Sequence, residues 1–135
     1  MRLSDNVGKT GIHQLSEKLF VKLEFMNPTG SIKDRPATFI INDAERRKLL
    51  KKGDTIIEAT SGNMGISFAW LAAERGYNCK IVMPSNMSEE RKQMLRLYGA
   101  ELIEVEPGNF DGAIKLRDEL AEKMVGSTVI NLQTH

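Results

Sequence analysis

The sequence predicts an α/β domain whose parallel sheet is covered by helices on both faces. Short runs rich in β-branched and apolar residues recur along the chain, and helical patterns separate them. The runs are TIIEA (55–59), CKIVM (79–83), ELIEV (101–105) and TVINL (128–132). Strands that alternate with helices form right-handed crossovers, which place parallel strands side by side. We therefore expect one small three-layer domain.

Each helical pattern between these strands has its own boundary signals. In GISFAWLAAERG, Gly76 ends the apolar pattern, and in SEERKQMLRLYG, Ser88 is a candidate N-cap and Gly99 follows the last turn. A third helix is predicted in DGAIKLRDELAEKM.

The residues before the first of these strands predict a further helix and a strand. Apolar residues at helical spacing predict a helix over 34–50, with Pro36 in its first turn and Gly53 ending it. The run LFVKLEF (19–25) alternates and predicts a strand, whereas NVGKTGIHQL before it is irregular or weakly extended. The turn MNPTGS then leads into Lys33.

Composition excludes several classes of partner. The chain has 135 residues, enough for one compact domain, and 19 basic against 18 acidic residues leave a charge of +1, so we expect neither nucleic acid nor a membrane surface as partner. No apolar run is long enough to span a membrane. The single cysteine, Cys79, fits a buried residue in a reducing compartment, so we expect a cytoplasmic protein. His13 and His135 have no partners at ligand spacing, so we expect no metal site.

The local sequence leaves two interpretations of Lys33 open. Lys33 lies at a predicted helix start, where the helix dipole disfavours its charged form and burial would lower its pKa further. A neutral amine is what Schiff-base chemistry needs. Alternatively, the side-chain stem packs while the ammonium group reaches water, with Asp34 nearby to keep it charged.

The loop ATSGNMGIS (59–67) joins a predicted strand to a predicted helix. Its glycines allow a sharp turn, amides at the helix start can point at an anion, and Thr60, Ser61 and Asn63 add polar side chains. This pattern suits a carboxylate or a phosphate, but it is neither the dinucleotide-binding G-x-G-x-x-G pattern nor a Walker A loop. The alternative is an ordinary turn in which Ser61 or Asn63 caps the helix.

Three segments together resemble a known family. KLEFMNPTGSIKDRPA (22–37), GDTIIEATSGNMGISFAWLAAERGY (53–77) and KIVMPSNMSEERKQMLRLYGAELIEV (80–105) are similar to the first half of cysteine synthase, also called O-acetylserine sulfhydrylase. That family belongs to the fold-type II enzymes that use pyridoxal 5′-phosphate, together with cystathionine β-synthase. The resemblance runs from about Val7 to the end of the chain.

The resemblance implies a role for each matching residue. Lys33 matches the lysine that carries the cofactor and then moves the substrate's α-proton, and Asn63 matches the asparagine that hydrogen-bonds the cofactor's ring hydroxyl. The substrate's α-carboxylate would be bound by Thr60, Ser61, Gly62 and Gln133. The implied reaction is a β-replacement, in which O-acetylserine loses acetate and sulfide adds to give cysteine.

The chain also departs from the family pattern. Met64 stands where the family usually has a threonine that helps to bind the carboxylate, so the substrate range is in doubt. GKTG (8–11) replaces the usual GNTP, and Thr134 follows Gln133 where an aromatic residue is typical. The glycine-rich cup for the cofactor's phosphate, which belongs to a larger C-terminal domain of the family, is not found in these 135 residues.

Two hypotheses follow from these observations. In the first, the chain is the N-terminal part of a cysteine-synthase-like enzyme, in which residues 1–33 belong partly to the missing larger domain and residues 34–135 form the small domain. Its expected partners are an amino-acid substrate and either a second copy in a homodimer or a complementing C-terminal half. In the second, the chain is a truncated, catalytically inactive domain that binds an amino acid or another protein.

Overall fold

The computed structural model describes residues 1–124 and the backbone of residues 129–131. Two short 3₁₀ helices lie in the N-terminal segment, at Leu3–Asn6 and Glu24–Met26. The strands are β1 (Ile12–Ser16), β2 (Leu19–Lys22), β3 (Thr55–Ala59), β4 (Asn78–Pro84), β5 (Glu101–Val105) and β6 (Val129–Asn131). The helices are α1 (Asp34–Arg46), α2 (Asn63–Arg75), α3 (Glu89–Leu97) and α4 (Phe110–Lys123).

The main sheet is parallel and has the order β5-β4-β3-β6. Ile56 and Ile81 point to the face that α2 and α3 cover, whereas Ile57 and Val82 point to the face that α4 covers. Neighbouring residues of one strand alternate between the two faces, so both faces of the sheet are buried. The predicted α/β class and its three layers are confirmed.

Helix α2 is the central helix of the domain. It is buried over its whole middle, from Gly65 to Ala72, because it lies between the sheet and α1. Helix α1 packs on it through Ala37, Ile41 and Ala44, which are spaced four and three residues apart on one face. The nearly continuous apolar run of α2 is therefore the sequence signature of a helix enclosed on two sides.

Three boundaries upstream of β3 differ from the sequence predictions. Helix α1 ends at Arg46 rather than near residue 50, because Lys48 adopts a left-handed conformation (φ 59°) and the Leu49 amide bonds to the Ala44 carbonyl at 2.9 Å. Gly53, with φ 90°, lies in the turn before β3 and does not end α1. The predicted strand over 19–25 ends at Lys22, since Glu24 enters a 3₁₀ turn.

The segment predicted to be irregular contains β1, which pairs antiparallel with β2. This hairpin forms a sheet of its own, and every residue of both strands is exposed. Among its exposed apolar residues are Ile12, Leu15, Leu19 and Phe20. The alternating apolar residues correctly predicted a strand at β2. However, neither face of that strand is buried by the described residues.

Buried Cys79 lies in β4, as the sequence predicts. Burial raises the pKa of its thiol to about 12. No cluster of three or more His, Cys, Asp or Glu that could bind a metal ion occurs in the described residues. Within the same residues, no helix is long and apolar enough to cross a membrane.

An ion pair between Glu24 and Arg35 links the N-terminal segment to α1. Arg35 donates to both carboxylate oxygens of Glu24, at 2.7 and 2.8 Å, and it also donates to the Gly8 carbonyl at 3.1 Å. Thr10 and Asn27 donate to the same carboxylate at 3.0 and 2.9 Å. The hydrogen bond from Arg35, with those from Asn27 and Thr10, lowers the pKa of Glu24 from 4.5 to about 2.

This network predicts an acid-sensitive contribution to stability. The folded-state pKa of Glu24 lies below its ordinary value, so the contribution is complete above about pH 4.5 and is lost as the pH falls towards about 2. We expect Glu24→Gln to lower the urea midpoint at about pH 6 and to differ little from wild type at about pH 2. Glu122→Gln, on the exposed side of α4, controls for the loss of one negative charge. A Glu24→Gln deficit that persists unchanged at low pH would contradict this assignment.

Candidate functional site

The loop between β3 and α2 lies at the carboxyl edge of the parallel sheet. Thr60 continues the strand geometry, since its amide donates to the Val82 carbonyl at 3.1 Å. The chain then turns, and the Gly62 amide donates to the Thr60 hydroxyl oxygen at 3.3 Å. In open α/β sheets this edge is where ligands bind. The structure thus places Thr60, Ser61 and Gly62 in a half-buried turn at the expected edge.

The start of α2 is open to an anion. Gly62 is the N-cap, and no side chain caps the helix there, so the ordinary interpretation of Ser61 or Asn63 as a cap is wrong. Asn63 is the first helical residue, and its side chain is exposed. Uncapped amides and the positive end of a 13-residue helix favour a carboxylate or phosphate group.

Lys33 lies at the start of the neighbouring helix. It is the N-cap of α1, its side chain is exposed, and its amide donates to the Ser31 hydroxyl at 3.2 Å. Within the described part of the chain, its amine forms no ion pair. Because the side chain is exposed, the described residues do not provide the burial that the Schiff-base interpretation of Lys33 included.

The carboxylate next to Lys33 contacts other groups. Asp34 is fully buried and accepts hydrogen bonds from the Thr29 amide at 2.7 Å, from the Thr29 hydroxyl, and from the Ser67 hydroxyl at 2.6 Å. The expected pairing of Asp34 with Lys33 is therefore not seen among the described residues, because these donors hold the carboxylate in the interior. Asp34 instead links α1 to α2.

Ser67 completes a connection between the two helix starts. Its hydroxyl lies 2.6 Å from Asp34 and 3.0 Å from the carbonyl oxygen of Asn63. The sequence analysis missed Asp34 and Ser67 as members of the site. A signal was present, because Ser67 is a lone hydroxyl in the apolar run GISFAWLAA, and a buried hydroxyl needs a partner.

A cation from α3 also reaches the loop, and the sequence analysis missed it. The exposed Arg91 donates to the Ser61 carbonyl at 3.1 Å. Its guanidinium therefore adds positive charge beside the uncapped start of α2. Its position depends on how α3 packs, so the spacing along the sequence gave no direct signal.

Two further predicted site residues are Met64 and Gln133. Met64 is half-buried and packs against the main apolar core, where its thioether offers no strong donor. Gln133 lies outside the described residues. Of the predicted set, the structure thus brings Thr60, Ser61 and Gly62 into one turn, with Asn63 next to it.

Comparison with known proteins identifies relatives of the whole chain. The family model described as pyridoxal-phosphate dependent enzyme matches residues 3–134. Cysteine synthase of Staphylococcus aureus strain Mu50 is 50% identical over 107 residues, which cover 78% of this chain and 34% of the relative. Cysteine synthase B of Escherichia coli strain K12 is 44% identical over 132 residues, which cover 92% of this chain and 44% of the relative.

A solved structure agrees with the fold as well as with the sequence. The crystal structure of an O-ureido-L-serine synthase superposes with a TM-score of 0.86 at 43% identity, covering 95% of this chain and 42% of that one. The chain therefore spans less than half the length of these two relatives and of this solved structure.

Two glycines of the loop give a matched test of its packing. A Cβ at Gly65 would lie 2.6 Å from the Thr60 side-chain methyl carbon, whereas a Cβ at Gly62 would have no neighbour within 4 Å. We expect Gly65→Ala to turn the Thr60 side chain away and to lower the free energy of unfolding by about 1–3 kcal/mol. Gly62→Ala should lower it less, because the new Cβ meets no neighbour and only the N-cap preference for glycine over alanine is lost. Urea titrations of both variants check the difference, and equal effects would show that Gly65 is not packed as described.

Proposed function

The chain belongs to the family of pyridoxal-phosphate dependent enzymes, and from that premise we propose that it is the N-terminal part of a cysteine-synthase-like enzyme. Its proposed reaction replaces the acetate of O-acetylserine with sulfide to give cysteine. The observation that supports this most is the pairing of two helix starts, one with the exposed amine of Lys33 and one with the exposed amide of Asn63, through Asp34 and Ser67. The relatives named cysteine synthase support the choice of reaction.

The described residues offer groups that suit the cofactor. Lys33 provides an amine whose nitrogen forms no ion pair with any described residue, so it is available for covalent attachment. Asn63 provides an exposed amide that can hydrogen-bond a ring hydroxyl. When bound, pyridoxal 5′-phosphate supplies an electron sink for the substrate's α-carbon. In this proposal Lys33 holds the cofactor and then moves the α-proton at its amine nitrogen.

The substrate's carboxylate is proposed to bind at the start of α2. Backbone amides of the turn formed by Ser61 and Gly62 and the hydroxyls of Thr60 and Ser61 would donate to it, and Gln133 would add a contact. Arg91 supports an anion there through its charge. Met64 contributes apolar contact in place of a donor, so binding of the carboxylate depends more on the backbone.

A solved structure with this fold is named for a product other than cysteine. A protein named O-ureido-L-serine synthase has the same fold over this region at 43% identity. We therefore propose an amino-acid substrate with a β-leaving group on firmer grounds than we propose sulfide as the nucleophile. For the compartment, we propose the cytoplasm, which the free thiol of Cys79 supports.

The β1–β2 hairpin is proposed to pack against a further domain or a second copy of the chain. The hairpin and the residues that follow it expose large apolar side chains, among them Phe20 (58%), Phe25 (69%) and Ile32 (53%). Several large exposed apolar side chains within one segment are what an interface would cover. Residues 1–33 would on this proposal belong partly to the larger domain, although Glu24 and Asn27 hydrogen-bond within the present fold.

Cofactor attachment gives the direct test. We expect incubation with pyridoxal 5′-phosphate and borohydride to fix the cofactor preferentially on Lys33, as measured by peptide mass spectrometry, because its amine is exposed and its turn is linked to the backbone of Asn63 through Asp34 and Ser67. Lys33→Ala should lose most of the attached cofactor, whereas Lys51→Ala, at an exposed lysine before β3, should not.

Equal labelling of wild type and Lys33→Ala would contradict the proposal for this chain. It would favour the alternative of a catalytically inactive binding domain. Asn63→Ala gives a second check, since it should lower the labelling of Lys33 without removing the amine itself.

The hairpin surface gives a separate prediction. Because Phe20 is 58% exposed in an apolar surface, we expect Phe20→Asp to reduce self-association or aggregation of the chain, measured by sedimentation velocity over a range of concentrations. Leu97→Asp, at a residue of α3 that is 76% exposed outside the hairpin, is the matched control. If both variants behave alike, the hairpin is not the associating surface.

A further inference from the structure

We propose that Asp34 is a positioning residue, which fixes the Lys33 amine relative to Asn63 by tying the first turn of α1 to the first turn of α2 through Ser67. The inference rests on the proposed function, because it assumes that Lys33 and Asn63 act on one ligand. The proposed role belongs to Asp34 and not to Lys33 or Asn63, and Asp34 itself touches no reacting atom.

The burial of Asp34 is the first observation behind this proposal. Its side chain is 0% exposed, although a buried carboxylate loses its hydration and requires strong compensation. The compensation comes from Thr29 and Ser67, through three hydrogen bonds, and not from a salt bridge with any described cation. As the first residue of α1, Asp34 also lies at the positive end of that helix.

The second observation is which segments these hydrogen bonds join. Thr29 belongs to the turn that leads to Lys33, and Ser67 lies on α2, 33 residues beyond Asp34. The hydroxyl oxygen of Ser67 lies 2.6 Å from the Asp34 carboxylate and 3.0 Å from the Asn63 carbonyl oxygen, so its single proton is within reach of both acceptors. A single hydroxyl group therefore connects the residue after Lys33 with the backbone of Asn63.

The third observation is that the turn with Lys33 makes few other contacts of this strength. Ser31 contacts only the Lys33 amide among the described side-chain hydrogen bonds, and Ile32 is 53% exposed. The neighbouring Arg35 pairs with Glu24 of the N-terminal segment and not with α2. The Asp34 carboxylate thus provides the main polar link from the Lys33 turn to α2.

Hydrogen exchange tests this link without any cofactor. In Ser67→Ala, which keeps helix propensity, we expect the hydrogen-bonded amides within residues 29–35 and 63–67 to exchange about tenfold faster, because a hydrogen bond to a charged group is lost. The amides of α4 should be unchanged. Ser4→Ala, which removes a buried hydroxyl from the first 3₁₀ helix, should alter neither segment around Lys33 nor α4.

Two results in the exchange experiment would overturn the proposal. Acceleration in residues 63–67 alone would mean that Ser67 supports only its own helix. Equal acceleration that includes α4 would mean that Asp34 and Ser67 stabilise the whole fold without specific coupling of the two turns. Asp34→Asn is the second variant, and Ser67→Ala carries the test by itself if that variant does not fold.

Labelling separates positioning from a structural contact. With pyridoxal 5′-phosphate and borohydride, we expect Ser67→Ala to lose part of the wild-type share of label at Lys33, while label at other lysines is kept. If exchange is faster in Ser67→Ala but the share of label at Lys33 is unchanged, the Asp34–Ser67 contact is only structural. That result would overturn the positioning role. If wild type itself shows no preference for Lys33, the proposed function fails, whereas the exchange data still decide whether Asp34 couples the two turns.

Discussion

The buried carboxylate of Asp34 is the constraint on which the arrangement of the candidate site depends. A carboxylate without solvent must find donors, and here they come from Thr29 before α1 and from Ser67 on α2. Leaving such a group unsatisfied costs several kcal/mol, which is comparable with the whole stability of a small domain, about 5–15 kcal/mol. The Asp34 carboxylate therefore links the two helix starts, because its hydrogen-bond donors come from both of them.

The sheet explains why those two helix starts lie at one edge. Helix α2 leaves the carboxyl end of β3, and α1 packs along α2 through small residues such as Ala37 and Ala44. Small side chains let the two helices approach closely, so a serine on one helix can reach a carboxylate on the other. Gly65 contributes in the same way, because its missing Cβ leaves room for the side chain of Thr60.

Much of the main sheet could be predicted from the sequence, because buried parallel strands such as β3 and β4 contain short runs of β-branched and apolar residues. The end of α1 and the β1–β2 hairpin could not, since Lys48 adopts an unusual backbone conformation and the hairpin lacks a buried face. Within the site, the turn around Ser61 followed from local chemistry. The contacts of Asp34 with Ser67 and of Arg91 with Ser61 join residues about thirty positions apart, so no local pattern encodes them.

Exposure of Lys33 and exposure of the hairpin have a common physical consequence. Proton transfer at an amine is more effective where water is excluded, and the described residues leave Lys33 in contact with solvent. The hairpin precedes the turn around Asn27, which leads along the chain into Lys33. A partner that covered the hairpin and also excluded water from Lys33 would couple assembly to the chemistry that we propose. The Asp34–Ser67 link would be in place before that assembly, and it would present Lys33 and Asn63 in a fixed relation to the incoming surface.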